Sequence, residues 1–379
     1  MRLGLVRTSL LVVVPLVVVP LTLYVVFGRG SEGGDDPAAG SSIPEATSPR
    51  PAASTPAPDL AAATVSLDVA ERVVSERPLP VRVRLTGGYA GSTDGIAIEV
   101  QARGSGASRW TSLGTAALDS RGTAELTTAL WKSSELRARA TSSGEGSRWA
   151  MHEVTVTPAG EPVIPPDGAP EPKPTGIQAP QAAGSGAAAE VARIPDNVWD
   201  SMQGISWRPG CLARSQLRLV SVNYWGFDGF RYRGRIVVRA SLAGDVAEIF
   251  TDLYAQRYPI RMMVLPDVFG RSPNGIGAND YKQMAAGNAS GFNCRYVVGQ
   301  EEQRTMSLHA SGRAVDFNTW ENPYVSPQGN YPDEWYLQHR PRSARPVLHA
   351  GDPAVRAFTS RGWTWGGTWS EKDWQHFQK

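Results

Sequence analysis

Ser307-Leu308-His309-Ala310-Ser311-Gly312-Arg313-Ala314-Val315-Asp316-Phe317-Asn318 is the stretch on which the reading of this chain turns. Gly312 lies between His309 and Asp316 and permits a tight turn that can fold the two side chains toward one point. Near the C-terminus, Trp365-Gly366-Gly367-Thr368-Trp369 precedes Asp373-Trp374-Gln375-His376-Phe377. Two imidazoles and one carboxylate, those of His309, Asp316 and His376, make a three-ligand zinc set that leaves a fourth position for water. Zinc brings the pKa of such a water toward ~7. A carboxylate outside the ligand set then serves as general base and acid, and Asp373 is the candidate. Plainer readings stand beside this one. Each His can be an ordinary surface or core side chain, Asp316 a turn or cap residue, and Asp373 an ion-pair partner of Lys372 or Arg361.

The same stretch resembles the S-x-H-x-x-G-x-A-x-D signature of the D-alanyl-D-alanine carboxypeptidase family of zinc peptidases, the VanY-like enzymes. The ending Trp365 to Phe377 resembles that family's W-G-G-x-W … D-x-x-H-F. Ser290-Gly291-Phe292-Asn293-Cys294-Arg295 resembles its S-x-F-N-C-R segment, and Asn322-Pro323-Tyr324-Val325 its N-P-Y-V segment. The resemblance covers roughly residues 195–379 and implies one zinc ion held by His309, Asp316 and His376, with Asp373 as catalytic base. It gives Arg295 a place facing substrate, either polarising the scissile carbonyl or holding a substrate carboxylate. It gives Ser307 a site-lining hydroxyl, with a turn or strand-end hydroxyl as the alternative. The pattern departs at Leu308, often polar or acidic in relatives, and at Trp374, where Tyr is common. The implied fold is an α+β domain with a small antiparallel sheet, similar to lysostaphin-like, D-Ala-D-Ala and hedgehog-type domains. The implied substrate is the peptidoglycan stem peptide. Two other functions remain open: an endopeptidase cutting inside the stem or cross-bridge, for example at L-Ala–D-Glu, and a non-catalytic wall-binding or scaffold protein with a structural zinc.

Residues 191–379 form this catalytic unit and hold nine of the 12 Trp, four of the 5 His and both Cys. Cys211 and Cys294 are expected to pair, a bond worth ~2–4 kcal/mol, with two buried free thiols as the alternative. Trp363, Trp365 and Trp369 read as core around the site, or as a wall for a sugar-peptide substrate. His339 and His349 read as loop or surface residues. Residues 247–257 have helical spacing and end before Tyr258-Pro259. A second helix is expected over about 352–361, with Pro353 in its first turn, and strands over 236–238 and 260–265.

Farther from the site the chain changes character. Residues 62–157 alternate at period two in seven short segments, which predicts an antiparallel immunoglobulin-like sandwich without a disulfide. His152 there reads as a surface residue. Residues 29–61 and 158–190 are rich in Pro, Ala, Gly and Ser and read as a disordered stalk and an extended linker. Residues 9–28 are uncharged and almost wholly apolar, and about 20 residues of helix span ~30 Å. The expectation is a transmembrane anchor or a cleaved signal peptide. Arg2 and Arg7 would keep residues 1–8 cytoplasmic and put the catalytic domain outside, on a single-pass membrane protein or, after cleavage, a secreted one.

Composition excludes several classes. With 2 Cys there is no four-thiolate zinc module and no disulfide-stapled miniprotein. A net charge of +2 over 379 residues, with no basic block interleaved with aromatics, argues against nucleic acid as partner.

Overall fold

The computed structural model describes residues 58–379 apart from 90, 91 and 274. The readings for 1–8, 9–28 and most of 29–61 lie outside these residues. Among the described residues, no helix is long and apolar enough to cross a membrane. The expected fold class, with its transmembrane anchor, and the single-pass membrane localisation built on it are corrected accordingly. What is described is mostly β-sheet with few and short helices.

The N-terminal part is built from β1 (Thr64–Val69), β2 (Arg72–Val74), β3 (Pro78–Thr86), β4 (Ala97–Gly104), β5 (Thr111–Ala117), β6 (Thr123–Ala129), β7 (Ser134–Ser142), β8 (Glu145–Gly146) and β9 (Ala150–Thr157). β1, β3 and β6 form one sheet, and β2, β9, β7, β4 and β5 the other, with β8 beside β7. Period-two alternation is the cause. In β3 the residues Leu79, Val81, Val83 and Leu85 are buried between exposed neighbours, and they share one core with Ile98, Val100, Leu136, Ala138 and Val154. The sequence reading missed β2 and β8, which are too short to show a period.

The C-terminal part contains β10 (Glu190–Ala192), α1 (Asp196–Met202), β11 (Leu217–Trp225), β12 (Arg231–Arg239), α2 (Ala243–Ala255) and α3 (Asp280–Ala285). It continues with β13 (Ala314–Asp316), β14 (Tyr324–Ser326), β15 (Gly329–Tyr331), α4 (Trp335–Gln338), α5 (Pro353–Thr359), β16 (Thr364–Trp365) and β17 (His376–Gln378). β10, β11 and β12 make one antiparallel sheet, and β13, β17 and β16 a smaller one. α2 buries Val246, Ile249, Phe250 and Leu253, the spacing of one helical face, against the core it shares with α5 and both sheets. The expected strand over 260–265 does not form. Only isolated bridges occur there, Trp225 with Pro259 and Met262 with Asn288, because Asn318 and Asn288 take the amides of Arg261 and Val264.

Residues 158–190, expected as a spacer, are hydrogen-bonded along the C-terminal part. Gly160 N donates to Gly229 O at 2.9 Å and Val163 N to Phe227 O at 2.7 Å. Proline has no N–H but keeps its carbonyl, and two prolines of the stretch are held through theirs. Arg233 N donates to Pro180 O at 2.8 Å, and Trp320 Nε1 to Pro170 O at 2.8 Å. The sandwich is seated as well. Trp131 Nε1 donates to Arg231 O at 2.9 Å, and its ring meets Tyr232 edge-on at 5.2 Å. The Arg231 guanidinium, largely buried, pairs with Glu76 at 2.5 Å and donates to the Tyr254 hydroxyl at 2.8 Å. Phe230 packs against both cores.

Trp131→Ala removes a hydrogen bond and an aromatic contact from this seam, at an expected cost of about 1–3 kcal/mol. Limited proteolysis should then cut within residues 158–190 at protease doses that leave the wild type whole. Equal resistance of the two proteins would show that the seam does not hold the sandwich in place.

Candidate metal centre

β13 and β17 pair so that Asp316 stands directly opposite His376, and Val315 opposite Phe377. Side chains alternate across a strand, so the two polar groups share one face while Val315 and Phe377 turn into the core. Phe317, Phe358 and Phe377 stack there, with ring centroids 4.0–5.8 Å apart. On the other side of β13 the backbone of Ser290 exchanges both hydrogen bonds with Asp316, each at 2.9 Å.

His309 arrives on a single tight turn, Leu308–Ser311. Ser307 caps it, its Oγ accepting from His309 N at 3.2 Å. Gly312 closes it in the left-handed conformation at φ 64°, and a Cβ there would stand 2.6 Å from Arg239 N. The imidazole is oriented from behind: Nδ1 lies 2.6 Å from the Gly291 carbonyl, so Nδ1 carries the proton and donates, leaving Nε2 as a bare lone pair. His376 is oriented the opposite way. Its Nε2 is 3.2 Å from Gln378 Oε1, and Nδ1 faces Asp316 Oδ1 at 2.8 Å.

The donor atoms of His309, Asp316 and His376 lie within 4.8 Å of one another, and all three residues are buried. His309 Nε2 is 3.0 Å from Asp316 Oδ2 yet forms no hydrogen bond, since with the proton on Nδ1 it brings only a lone pair to the carboxylate. A buried imidazole nitrogen converging on a carboxylate without bonding it is the geometry of two ligands aimed at a third body. Two nitrogens and a carboxylate oxygen suit zinc, with each backing group fixing a tautomer. The residues present therefore fit a divalent cation. The electrostatics agree. Burial disfavours charge on Asp316, but His309 and His376 outweigh it and hold the carboxyl well below its usual range. Burial likewise works against protonated His376, yet Asp316 raises it to about 9. The site is built to stabilise positive charge.

Asp373 enters from the loop before β17. Val325 N donates to Lys372 O at 2.8 Å and Trp374 N to Pro323 O at 3.3 Å, so the Asn322–Val325 segment grips the loop on both sides of Asp373. Gly366 lets the chain pass, since a Cβ there would sit 2.5 Å from Asp373 O. Asp373 is partly exposed at the cavity wall, but its Oδ1 is shut off from solvent and has no hydrogen-bond partner. Burial pushes this carboxyl up to about 7, opposed by His376 and reinforced by Asp316.

These groups line a cavity of about 210 Å³ together with Arg295, Ser307, Tyr324, Trp369 and Gln375. The structure thus brings His309, Asp316, His376, Asp373, Arg295 and Ser307 to one place. Ser307 is at once wall and cap. Trp369 is wall, its ring 5.5 Å from His376, whereas Trp363 and Trp365 are core. Cys211 and Cys294 are joined as a disulfide, with their Cα atoms 6.3 Å apart, one residue from Arg295. His339 stacks on Trp335, and His349 lines no part of this cavity. Sequence reasoning missed Asp280, Gln378 and the Gly291 carbonyl. A backbone carbonyl carries no sequence signal, and Asn279-Asp280 reads as a helix start. Gln378 alone was findable, two positions beyond His376 on the same strand face.

No curated protein matches the sequence. Among solved structures, a superoxide reductase (neelaredoxin) from Ignicoccus hospitalis is 23% identical over 24% of this chain and 80% of its own, with a TM-score of 0.21. The sulfur carrier protein SoxY from Chlorobium limicola f thiosulfatophilum is 18% identical over 24% of this chain and 78% of its own, with a TM-score of 0.19. Likenesses this small carry no weight for fold or function. One family model does match, and it spans His309, Asp316, Asp373 and His376 while leaving Ser290–Arg295 outside. Residues 300–379 match the D-alanyl-D-alanine carboxypeptidase family, and this C-terminal part of the chain is a peptidase-like domain similar to that family.

Proposed function

We propose that the chain is a zinc-dependent peptidase that hydrolyses peptidoglycan stem peptides, in the first place at a terminal D-alanyl-D-alanine bond. The observation that carries this reading is the buried, unbonded His309 Nε2 converging with Asp316 and His376 beside a carboxylate, Asp373, whose Oδ1 is buried without a hydrogen-bond partner. His309, Asp316 and His376 would hold the zinc. When bound, such a cation acidifies a water and polarises a carbonyl oxygen. The chain's own groups supply the rest. Asp373 would take the proton of the attacking water and deliver it to the leaving amine, and a carboxyl that burial pushes up to about 7 suits both transfers. Arg295 offers N–H donors to the carbonyl on which negative charge develops. Trp369 and Tyr324 wall the cavity and limit water around the reacting bond.

Two variants separate the roles. Asp373→Asn should retain about one zinc per chain by elemental analysis and lose about 10²–10⁴-fold in kcat. His376→Ala should lose both zinc and turnover. Full activity in Asp373→Asn would remove the base from this scheme. Digestion of purified stem peptides, read by mass, should release a single D-alanine. Treatment with a chelator should abolish that release and added zinc restore it. Release of internal fragments instead would assign the cut to an endopeptidase, and zinc retention with no product at all would assign the site a structural role.

A further inference from the structure

Arg295 is the one Lys or Arg lining the cavity among the described residues, and it is not a free cation. Its Nη2 pairs with Asp280 Oδ2 at 2.7 Å, and both side chains are more than nine-tenths buried. Nη1 donates to Tyr296 O at 3.0 Å, while the buried Nε–H has no partner. Asp280 is itself held, its Oδ1 accepting from Gln283 Nε2 at 3.2 Å. A two-way latch brings the elements together. Asn293 Oδ1 accepts from Ala278 N at 2.9 Å, and Asn293 Nδ2 donates to Ala278 O at 3.1 Å. Gly277, at φ 77°, allows the close approach, for a Cβ there would lie 2.6 Å from the Arg295 Cβ. The lead-in to α3 is thereby bound to the segment that carries Arg295, and Asp280 is delivered to the guanidinium.

We infer that Asp280 is a positioning residue that both fixes and neutralises Arg295, so that Arg295 serves the scissile carbonyl and does not hold the substrate's terminal carboxylate. A buried guanidinium already facing one carboxylate has little net charge left for a second. Held by Asp280 and by the Tyr296 carbonyl, it keeps oriented N–H donors on the cavity wall, which is what a peptide carbonyl acquiring negative charge requires. This rests on the peptidase reading above and chooses between the two roles open to Arg295.

The test is calorimetric titration of the zinc-loaded full chain with N-acetyl-D-alanine, which carries the carboxylate and no scissile bond to turn over. Arg295→Ala should bind it within about twofold of the wild type. Asp280→Asn, which releases the charge of Arg295, should bind it about tenfold tighter, and the gain should vanish in the Asp280→Asn/Arg295→Ala double variant. With stem peptide, kcat should fall about tenfold in Asp280→Asn at unchanged zinc content, and Asp280→Glu should recover most of it. A tenfold loss of carboxylate binding in Arg295→Ala, or no gain in a folded Asp280→Asn, overturns the inference. The Arg295→Ala arm decides it even if Asp280→Asn does not fold. A wild type with no turnover would bring down the peptidase reading, and the titration would still decide what Asp280 does to Arg295.

Discussion

Asp316 is a carboxylate buried between two imidazoles, and almost everything around it answers to that fact. A buried charge is costly unless its partners are held close and correctly turned. Here the partners are held through their far sides, His309 by the Gly291 carbonyl and His376 by Gln378. Asp316 is clamped on both edges of its strand, by Ser290 and by β17. Below it a stack of phenylalanines gives the short strands a rigid floor. None of β13, β16 and β17 is longer than three residues, so packing and not ladder length must hold the small sheet.

Farther out, asparagine side chains take over this fastening. Asn293 ties the α3 lead-in to the segment bearing Arg295. Asn322 donates to Asn318 O and Pro346 O and accepts from Leu348 N and Arg340. Asn223 secures the Pro-rich stretch through Ala183 and Gly186. An amide side chain offers donor and acceptor together and so pairs with a backbone as another backbone would. A domain with short strands and long loops can satisfy buried polar groups in this way. The Asn in two of the family-like segments, Asn293 and Asn322, are fasteners that set where Arg295 and Asp373 stand.

That His309, Asp316 and His376 form one cluster was legible because few residue types suit such a centre, because the turn at Gly312 is local, and because the segments around them resemble a known family. The sandwich was legible because burial on one face writes a period-two pattern. Less of the rest was readable. Residues 260–265 have strand-like composition, but side-chain amides from distant loops take their backbone groups. Residues 158–190 have the composition of a spacer, yet their carbonyls find donors on a surface that does not exist until β11 and β12 have paired. Asp280 opens α3, and nothing in its local sequence points to the pairing with Arg295.

By itself the sequence determined which titratable side chains gather at one centre, His309, Asp316, His376 and Asp373, and which face of each sandwich strand turns inward. These depend on residue type and on local periodicity. Only the tertiary structure decided which imidazole nitrogen points inward, that burial pushes the Asp373 carboxyl up to about 7, and that Arg295 reaches the cavity already balanced by Asp280. Those properties belong to distances between segments far apart in the chain. Burial and charge act through space and leave no trace in local order.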